Sequence, residues 1–284
     1  MNPPDTGSDN VADTAADHAA ANAVDNAADA GPPLLQLQQG RATITLNRPA
    51  HHNRLHVDDL LLLQRHFEAL AADPGVRLLV LTGTGRSFCS GFHLGDFDAA
   101  PLSHPGAGPQ LFEQTVDALE ALAVPSICRF NGSVFGGATD LALACDFRVG
   151  VQGMQLRMPA ARLGLHYYPS GLRRCVSRLG LATAKRLFLL ADTVGADELL
   201  ALGYLDRLVS AAGLDAEVQR IADALAAGAP LALRGMKQSL DEIARGDFHL
   251  ATLREREARC AGSEDLREGR AAMAEKRAAR FVGR

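Results

Sequence analysis

The hydrophobic and polar positions of the first part of the chain predict a hairpin, a helix and a buried strand. Apolar and polar residues alternate with a period of two over Leu34–Gln38 and Ala42–Leu46, as in two antiparallel strands. Apolar residues recur at helical spacing over 57–72, which predicts an amphipathic helix. The largely apolar run over 76–82 predicts a strand that is buried on both faces.

The remaining pattern divides the chain into a mixed part and a helical part. A helix over about 110–122 and a short strand over 126–130 continue the alternation, which predicts right-handed crossovers and a mostly parallel sheet. After Pro169 the apolar spacing is almost entirely helical. The predicted helices lie near 172–190, 196–202, 215–227, 230–244, 248–261 and 264–279. We therefore expect an α/β core followed by helices.

The N-terminal segment has a different composition from the rest of the chain. Residues 1–40 contain six Asp and no Glu, Lys or Arg, and residues 11–30 contain ten Ala. Such a segment buries too little apolar surface to offset the entropy of ordering, so it predicts a disordered tail. We predict three segments: a disordered acidic, Ala-rich tail at 1–32, an α/β core at 33–210 and a helical region at 211–284.

The composition excludes several classes of protein. The 284 residues are 47% hydrophobic and 22% charged, which is typical of a globular protein. A net charge of −4, 5% aromatic residues and no Trp disfavour binding to nucleic acid. The five cysteines are scattered without a C-x-x-C pair. This argues against a disulfide framework and for a protein of a reducing compartment. No apolar run is long enough for a membrane span. We expect a cytoplasmic protein with neither nucleic acid nor membrane as a partner.

Several catalytic and binding motifs are absent from the chain. It contains no G-x-S-x-G, no Walker A sequence and no G-x-G-x-x-G. His52 and His56 are four residues apart, but no Glu or third ligand accompanies them. We therefore expect exposed loop histidines, no metal site and no separate cofactor.

Two glycine-bearing loops remain as candidates for chemistry. The loop 83–94 follows the buried strand, and the loop 131–142 leads from a strand into a helix. Ligands of α/β folds bind at the carboxyl ends of parallel strands. Gly136 and Gly137 at a helix start would present backbone N–H groups that can stabilise an oxyanion. Taken singly, each loop predicts no more than a tight turn.

Together with other motifs, these loops resemble the enoyl-CoA hydratase/isomerase (crotonase) superfamily, from about residue 34 to the end. The matching segments are 43–49 (TITLNRP), 85–94, 125–137, 144–148 (ACDFR), 159–171, 201–206 (ALGYLD), 263–269 and 275–281. The resemblance implies a spiral core of ββα units and a C-terminal helical trimerisation region. It also implies a homotrimer or homohexamer.

The resemblance further implies a site for an acyl-CoA thioester, with coenzyme A as part of the substrate. The thioester carbonyl would face an oxyanion hole made by the backbone N–H groups of Phe92 and Gly137. Asp140 stands at the family's first catalytic acid position, although a first-turn Asp also helps the helix dipole. The residues implied to bind the acyl-CoA are Gly91, His93, Leu94, Gly136 and Lys276, of which Lys276 resembles a lysine that reaches the CoA phosphates.

The chain also departs from the hydratase pattern. Ala160 stands where hydratases have a second Glu, and His93 replaces the usual Asp. The segment 165–170 reads LHYYPS in place of a glycine-rich loop. Its His166 and two tyrosines either pack as a lid or supply the missing acid/base group, since histidine titrates near neutral pH. Double-bond hydration and migration lead the candidate functions. A hydrolase or decarboxylase, and a non-catalytic CoA-binding or assembly protein, remain as alternatives.

Overall fold

The computed structural model describes residues 31–96 and 109–284 of the chain. Residues 1–30 of the predicted tail lie outside the described residues. The described chain contains ten strands. They are β1 (Leu34–Gln38), β2 (Arg41–Leu46), β3 (Leu78–Gly83), β4 (Ser87–Cys89), β5 (Ser126–Arg129), β6 (Ser133–Phe135), β7 (Phe147–Val151), β8 (Gln155–Arg157), β9 (Val194–Gly195) and β10 (Arg207–Val209).

Six of these strands form the main sheet, in the order β1-β2-β3-β5-β7-β10. β1 pairs with β2 in antiparallel fashion, which confirms the predicted hairpin, and the other neighbours are parallel. In β2 the buried residues alternate with half-buried ones, whereas every residue of β3 is buried. The two sequence patterns therefore correspond to a strand near the sheet edge and to one in its centre.

A second, smaller sheet was not predicted from the sequence. It contains β4, β6, β8 and β9, each two or three residues long, which is too short for a hydrophobic period to be recognised. β4 and β6 are parallel neighbours. Because parallel strands end at the same edge of a sheet, the loops after Cys89 and Phe135 leave this sheet side by side. These are the two glycine-bearing loops of the sequence analysis.

The described chain contains nine α-helices. They are α1 (Val57–Ala72), α2 (Pro109–Ala121), α3 (Ala138–Leu143), α4 (Pro169–Lys185), α5 (Ala196–Ala201), α6 (Leu214–Ala226), α7 (Pro230–Arg245), α8 (Leu250–Ala261) and α9 (Glu264–Glu275). The six helical patterns predicted after Pro169 are all confirmed, with boundaries shifted by up to four residues. The first begins three residues early, at Pro169, is interrupted by the non-helical backbone of Gly180, and ends at Leu190 as predicted, in a π-helical turn. The last ends at Glu275, four residues early.

Both faces of the main sheet are covered by apolar packing. Leu60, Leu63 and Phe67 on one face of α1 are buried in the larger cluster. On the other face of the sheet, Val218 of α6 packs into a second cluster that contains Val80. Burying each such side chain stabilises the fold by about 1.5–3 kcal/mol, so both layers hold the strand ends in place.

No helix within 31–96 and 109–284 is both long and apolar enough to cross a bilayer. All five cysteines lie in these residues and are free thiols, four of them buried. The expectation that the chain carries no disulfide framework is therefore confirmed.

Candidate active site

The two loops that leave the small sheet touch each other through backbone atoms. Gly91 has a φ of +92°, and a Cβ on it would lie 2.8 Å from the backbone nitrogen of Gly137. Glycine is required at position 91 both by this left-handed backbone and by the close approach. As a result, Phe92 and Gly137 lie on the wall of a single cavity.

That cavity has a volume of about 210 Å³ and a mostly apolar lining. It brings together five residues that the sequence analysis assigned to the site, namely Phe92, Leu94, Gly136, Gly137 and His166. The other lining residues are Ser90, Phe112, Phe135, Met158, Pro159, Ala160, Leu163, Leu165, Tyr167 and Tyr168. The polar side chains of this lining come mainly from the segment 166–168, so one part of the wall can donate or accept protons.

Gly137 immediately precedes α3, and its carbonyl accepts hydrogen bonds from the backbone of Asp140 and Leu141. Its N–H has no acceptor among the hydrogen bonds of the described residues. A helix start leaves such N–H groups unpaired, and they can bind an oxygen that carries negative charge.

Asp140 lies behind this wall rather than on it. Its residue surface is only 3% exposed, and it is not among the cavity-lining residues. The Tyr168 hydroxyl donates to Asp140 Oδ2 at 2.6 Å, and Arg174 Nη1 donates to the same oxygen at 2.6 Å. Tyr168 therefore stands between the Asp140 carboxylate and the cavity.

Arg174 is the centre of a buried charge cluster. Its guanidinium has no exposed surface and contacts three carboxylates, those of Asp140, Glu120 and Asp117. Burial raises the pKa of Asp140, and the charge of Arg174 and the hydrogen bonds from Tyr168 and Arg174 only partly oppose this rise. Arg174 thus keeps an anionic Asp140 paired in a site where an isolated carboxylate would be costly.

The two tyrosines form a stacked pair beside Asp140. Their ring centroids are 4.2 Å apart, and the Tyr167 hydroxyl donates to the Tyr168 hydroxyl at 3.1 Å. Burial, and next the Asp140 charge, raise the pKa of both phenols well above the usual range. Both hydroxyls therefore keep their protons near neutral pH.

Neither Arg174 nor the role of Tyr168 was identified from the sequence. Arg174 is one of several arginines in a helical stretch, and nothing in that stretch indicates that its side chain is fully buried. The tyrosines were recognised only as a lid or as a possible source of an acid/base group. The hydrogen bond from Tyr168 to Asp140 joins positions 28 residues apart, which no local pattern reveals.

His93 lies outside the cavity lining, in a cluster with His56 and Asp96. The rings of His56 and His93 are 4.8 Å apart, and His56 Nδ1 is 3.0 Å from Asp96 Oδ2. Arg54 Nε donates to His56 Nε2 at 3.2 Å, so both ring nitrogens of His56 have protein partners. The expectation of exposed loop histidines is wrong for His56 and His52, which are half-buried, whereas His51 is exposed.

The two remaining predicted residues differ in location. His166 is largely exposed at the cavity, and its Nδ1 is 2.8 Å from the Tyr167 carbonyl oxygen. Lys276 is exposed at the end of α9, with a φ of +54°, and it does not line the cavity.

Comparison with known proteins identifies the family. The family model for enoyl-CoA hydratase/isomerase matches residues 36–284. The chain belongs to this family of enzymes. It is 30% identical to the crotonyl-CoA hydratase of Syntrophomonas wolfei, across 88% of this chain and 98% of that one. It is 28% identical to the short-chain-enoyl-CoA hydratase of Clostridium acetobutylicum, across 86% and 95%.

Solved structures confirm the crotonase-type α/β fold. An enoyl-CoA hydratase from Bacillus anthracis superimposes with a TM-score of 0.80 at 26% identity, covering 89% of this chain and all of that one. An enoyl-CoA hydratase/isomerase family member superimposes with a TM-score of 0.82 at 25% identity, covering 89% and 97%. Family membership implies an acyl-CoA thioester as the substrate.

A small residue, Ala160, and a large one, Tyr167, both line the cavity. Ala160 is buried, and it packs in one apolar cluster with Met158 and Tyr167. The side chain at position 160 and the Tyr167 ring therefore belong to one packed apolar group at the cavity wall.

Proposed function

We propose that the protein stabilises a thioester enolate between the backbone N–H groups of Phe92 and Gly137. The observation that carries the proposal is the close approach of the Gly91 backbone to the Gly137 nitrogen, which sets Phe92 and Gly137 on one cavity wall. An enolate places negative charge on a single oxygen, and two fixed donors stabilise that charge without rearranging. Removal of one such donor costs roughly a hundredfold to a thousandfold in rate in other enzymes.

The reaction is hydration or migration of the double bond of an enoyl-CoA. Asp140 and His166 are the candidate acid/base groups, and Gly91, Leu94 and Gly136 shape the approach of the thioester. The cavity has a volume of about 210 Å³ and an apolar lining, which suits a short acyl group. Two relatives are named for crotonyl-CoA and for short-chain enoyl-CoA, which makes these compounds the first substrates to test.

A turnover panel tests this proposal. Wild-type protein is assayed for hydration of crotonyl-CoA and for isomerisation of a 3-enoyl-CoA, and acetoacetyl-CoA binding is measured in parallel by calorimetry. We expect binding together with at least one of the two activities. Binding without turnover of any enoyl-CoA would contradict the enzyme proposal and favour the non-catalytic alternative.

Ala160 supports a second candidate function, that of a decarboxylase or hydrolase. Without a second carboxylate at that position, hydration lacks the acid that hydratases of the family provide there. A decarboxylase or hydrolase would use the same oxyanion site, so malonyl-type and saturated acyl-CoA thioesters complete the panel. Release of CO₂ or of free CoA, in place of hydration or isomerisation, would assign the protein to this second class.

We also propose that the protein is a homotrimer or homohexamer that assembles through its C-terminal helices. Large apolar side chains are exposed on and between α7 and α8, namely Met236, Leu240, Ile243, Phe248 and Leu250. This is more apolar surface than a monomer usually leaves in one region. Light scattering should give a multiple of the 30.1 kDa chain mass, and a monomer would contradict the assembly.

Two further assignments extend the proposal. Lys276 would bind the CoA phosphates, either of its own subunit or of a neighbour in the assembly, and Lys276→Ala should weaken binding of CoA more than of a truncated pantetheine thioester. A cytoplasmic location would agree with the five free thiols, since disulfides form mainly in oxidising compartments.

A further inference from the structure

A continuous chain of hydrogen bonds joins the cavity to the buried Asp140. The Tyr167 hydroxyl donates to Tyr168 Oη at 3.1 Å, and the Tyr168 hydroxyl donates to Asp140 Oδ2 at 2.6 Å. Both tyrosines line the cavity, whereas Asp140 does not. Asp140 therefore communicates with a bound molecule through these phenols.

The cavity end of this chain is able to accept a proton. Tyr167 Oη uses its own proton to reach Tyr168, and no described residue donates a hydrogen bond to the Tyr167 oxygen. A phenol oxygen has lone pairs that accept from water or from a substrate hydroxyl. A water or substrate placed in the cavity can therefore donate to Tyr167.

The inner end of this chain of hydrogen bonds is the Asp140 carboxyl group, which can accept a proton. Asp140 Oδ2 accepts from Tyr168 and Arg174, while Asp140 Oδ1 is buried without a hydrogen-bond partner among the described residues. Burial raises the pKa of this carboxyl, and each missing donor leaves the anion less stabilised. The charge of Arg174 opposes this rise in part, and the same oxygen that accepts from Tyr168 is the atom to which a proton would pass.

Tight packing holds Tyr167, Tyr168 and Asp140 in the positions that these hydrogen bonds require. A Cβ at Gly171 would lie 2.7 Å from Asp140 Oδ2 and 2.7 Å from Tyr168 Cε2, so only glycine leaves room for both groups. The Tyr167 ring also packs against Phe188, with centroids 5.0 Å apart. Preorganised groups of this kind transfer protons without first having to reorient.

We propose that Tyr167 and Tyr168 relay protons between the cavity and Asp140. This inference rests on the enolate chemistry proposed above and specifies which groups move its protons. Tyr167 is the group that touches the substrate or water. Tyr168 and Asp140 act through it, in series.

The relay accounts for every atom of a hydration. A water gives a proton to Tyr167 Oη, while the Tyr167 proton passes to Tyr168 and the Tyr168 proton passes to Asp140. The hydroxide bonds to C3 of the enoyl group, and the C2–C3 π electrons become the enolate held by Phe92 and Gly137. Return of the proton along the same path to C2 completes the addition of one water and restores the Asp140 carboxylate. Isomerisation uses the same path to take a proton from one carbon and return it to another.

Conservative variants test the relay. Tyr167→Phe, Tyr168→Phe and Asp140→Asn each interrupt the path while keeping the side-chain shape, and Tyr204→Phe is the matched control. Tyr204 is the third tyrosine of the chain, and its hydroxyl donates to the Thr139 carbonyl outside the relay. The readouts are kcat and KM for whichever of hydration and isomerisation the wild type catalyses, together with the Kd of acetoacetyl-CoA.

We expect each relay variant to lower kcat about a hundredfold or more, with acetoacetyl-CoA affinity unchanged. When groups act in series, the effects of their substitutions on kcat do not add. The double variant Tyr167→Phe with Asp140→Asn should therefore be no slower than either single variant. Tyr204→Phe should keep wild-type kcat. A structural role alone would lower the melting temperature without this pattern.

Two results would overturn the relay while leaving the proposed function intact. One is wild-type kcat in Tyr167→Phe and Tyr168→Phe, and the other is a double variant in which the two losses multiply. A wild-type protein that neither binds acetoacetyl-CoA nor converts an enoyl-CoA would refute the proposed function, and the relay with it.

Discussion

Arg174 Nη1 lies 2.6 Å from Asp140 Oδ2, in a place where the guanidinium has no exposed surface. The same guanidinium also pairs with Glu120 and Asp117. Removal of one member of a buried ion pair leaves uncompensated charge, which typically costs about 3–5 kcal/mol. The structural role of Arg174 is therefore to make a buried Asp140 carboxylate possible.

The first prediction concerns the stability that Arg174 provides. Arg174→Met should lower the free energy of unfolding by about 3–5 kcal/mol, measured by urea denaturation at neutral pH. Arg186→Met is the control, because Arg186 pairs with Glu198 at the surface, where solvent screens the charges and the pair contributes little to stability. Equal losses in the two variants would contradict the description of the cluster as buried and tightly coupled.

The second prediction is a pH dependence at Asp241. Burial, and next the negative charge of Asp146, raise the pKa of Asp241 to about 6, against the opposing charges of Lys237 and Arg178. The Asp241 carboxyl therefore holds its proton more tightly in the folded state than in the unfolded state, so stability is lost as the pH rises from about 4 to about 6 and stays lower above that.

The sign of this effect fixes the expected result. Asp241→Asn should raise the free energy of unfolding at pH 8 by about 1 kcal/mol, after allowance for partial exposure. The difference should shrink as the pH falls from 6 towards 4 and vanish only below about pH 3, where folded and unfolded wild type are both protonated. Urea titrations at pH 8 and pH 4.5 measure it, and a variant that is less stable at pH 8 would show that Asp241 is a stabilising anion.

The third prediction concerns the space at Gly171. Gly171→Ala would place a methyl group 2.7 Å from Asp140 Oδ2 and from the Tyr168 ring, so these groups must shift. We expect a loss of stability of about 1–3 kcal/mol and a lower kcat, with less effect on acetoacetyl-CoA binding.

Gly235→Ala in helix α7 is the matched control, because a Cβ there would meet Arg256 Cβ at an ordinary 3.8 Å. A helix-interior Gly→Ala change stabilises by up to about 1 kcal/mol. If Gly171→Ala behaved like this control, the packing argument around the tyrosines would be wrong.

The fourth prediction separates the two candidate acid/base groups. His166 is largely exposed, and its Nδ1 is 2.8 Å from the Tyr167 carbonyl, so only Nε2 is available for substrate. We expect His166→Ala to lower kcat less than Asp140→Asn does, in both crotonyl-CoA hydration and 3-enoyl-CoA isomerisation. Activity that survives in Asp140→Asn but is lost in His166→Ala would move the role to the histidine.

Much of the fold was predictable because its elements have local periods. The hairpin, the α1 helix and the C-terminal helices each repeat their apolar residues over enough positions to be recognised. The small sheet was not predictable in this way, since β4, β6, β8 and β9 are two or three residues long. Its existence nevertheless decides where the two glycine-bearing loops meet.

The sequence indicated which backbone loops form the candidate site, but not how the side chains around Asp140 are arranged. The glycines at 91, 136 and 137 are recognisable as loop residues, and the cavity lining includes two of them. The position of Asp140 depends on Arg174 and Tyr168, which are 34 and 28 residues away along the chain. Such partners come from tertiary packing, so a sequence motif indicates an acid at 140 without showing that it lies behind a tyrosine.

The most direct test of the central claim is calorimetry of acetoacetyl-CoA binding to wild type, Gly137→Val and Gly195→Val. A Cβ at Gly137 would lie 2.8 Å from the Phe112 ring, at the cavity wall, whereas one at Gly195 would meet nothing within 4 Å. We predict binding to wild type and to Gly195→Val, and no measurable binding to a folded Gly137→Val. Unchanged affinity in Gly137→Val would contradict the placement of the thioester oxygen at these two loops.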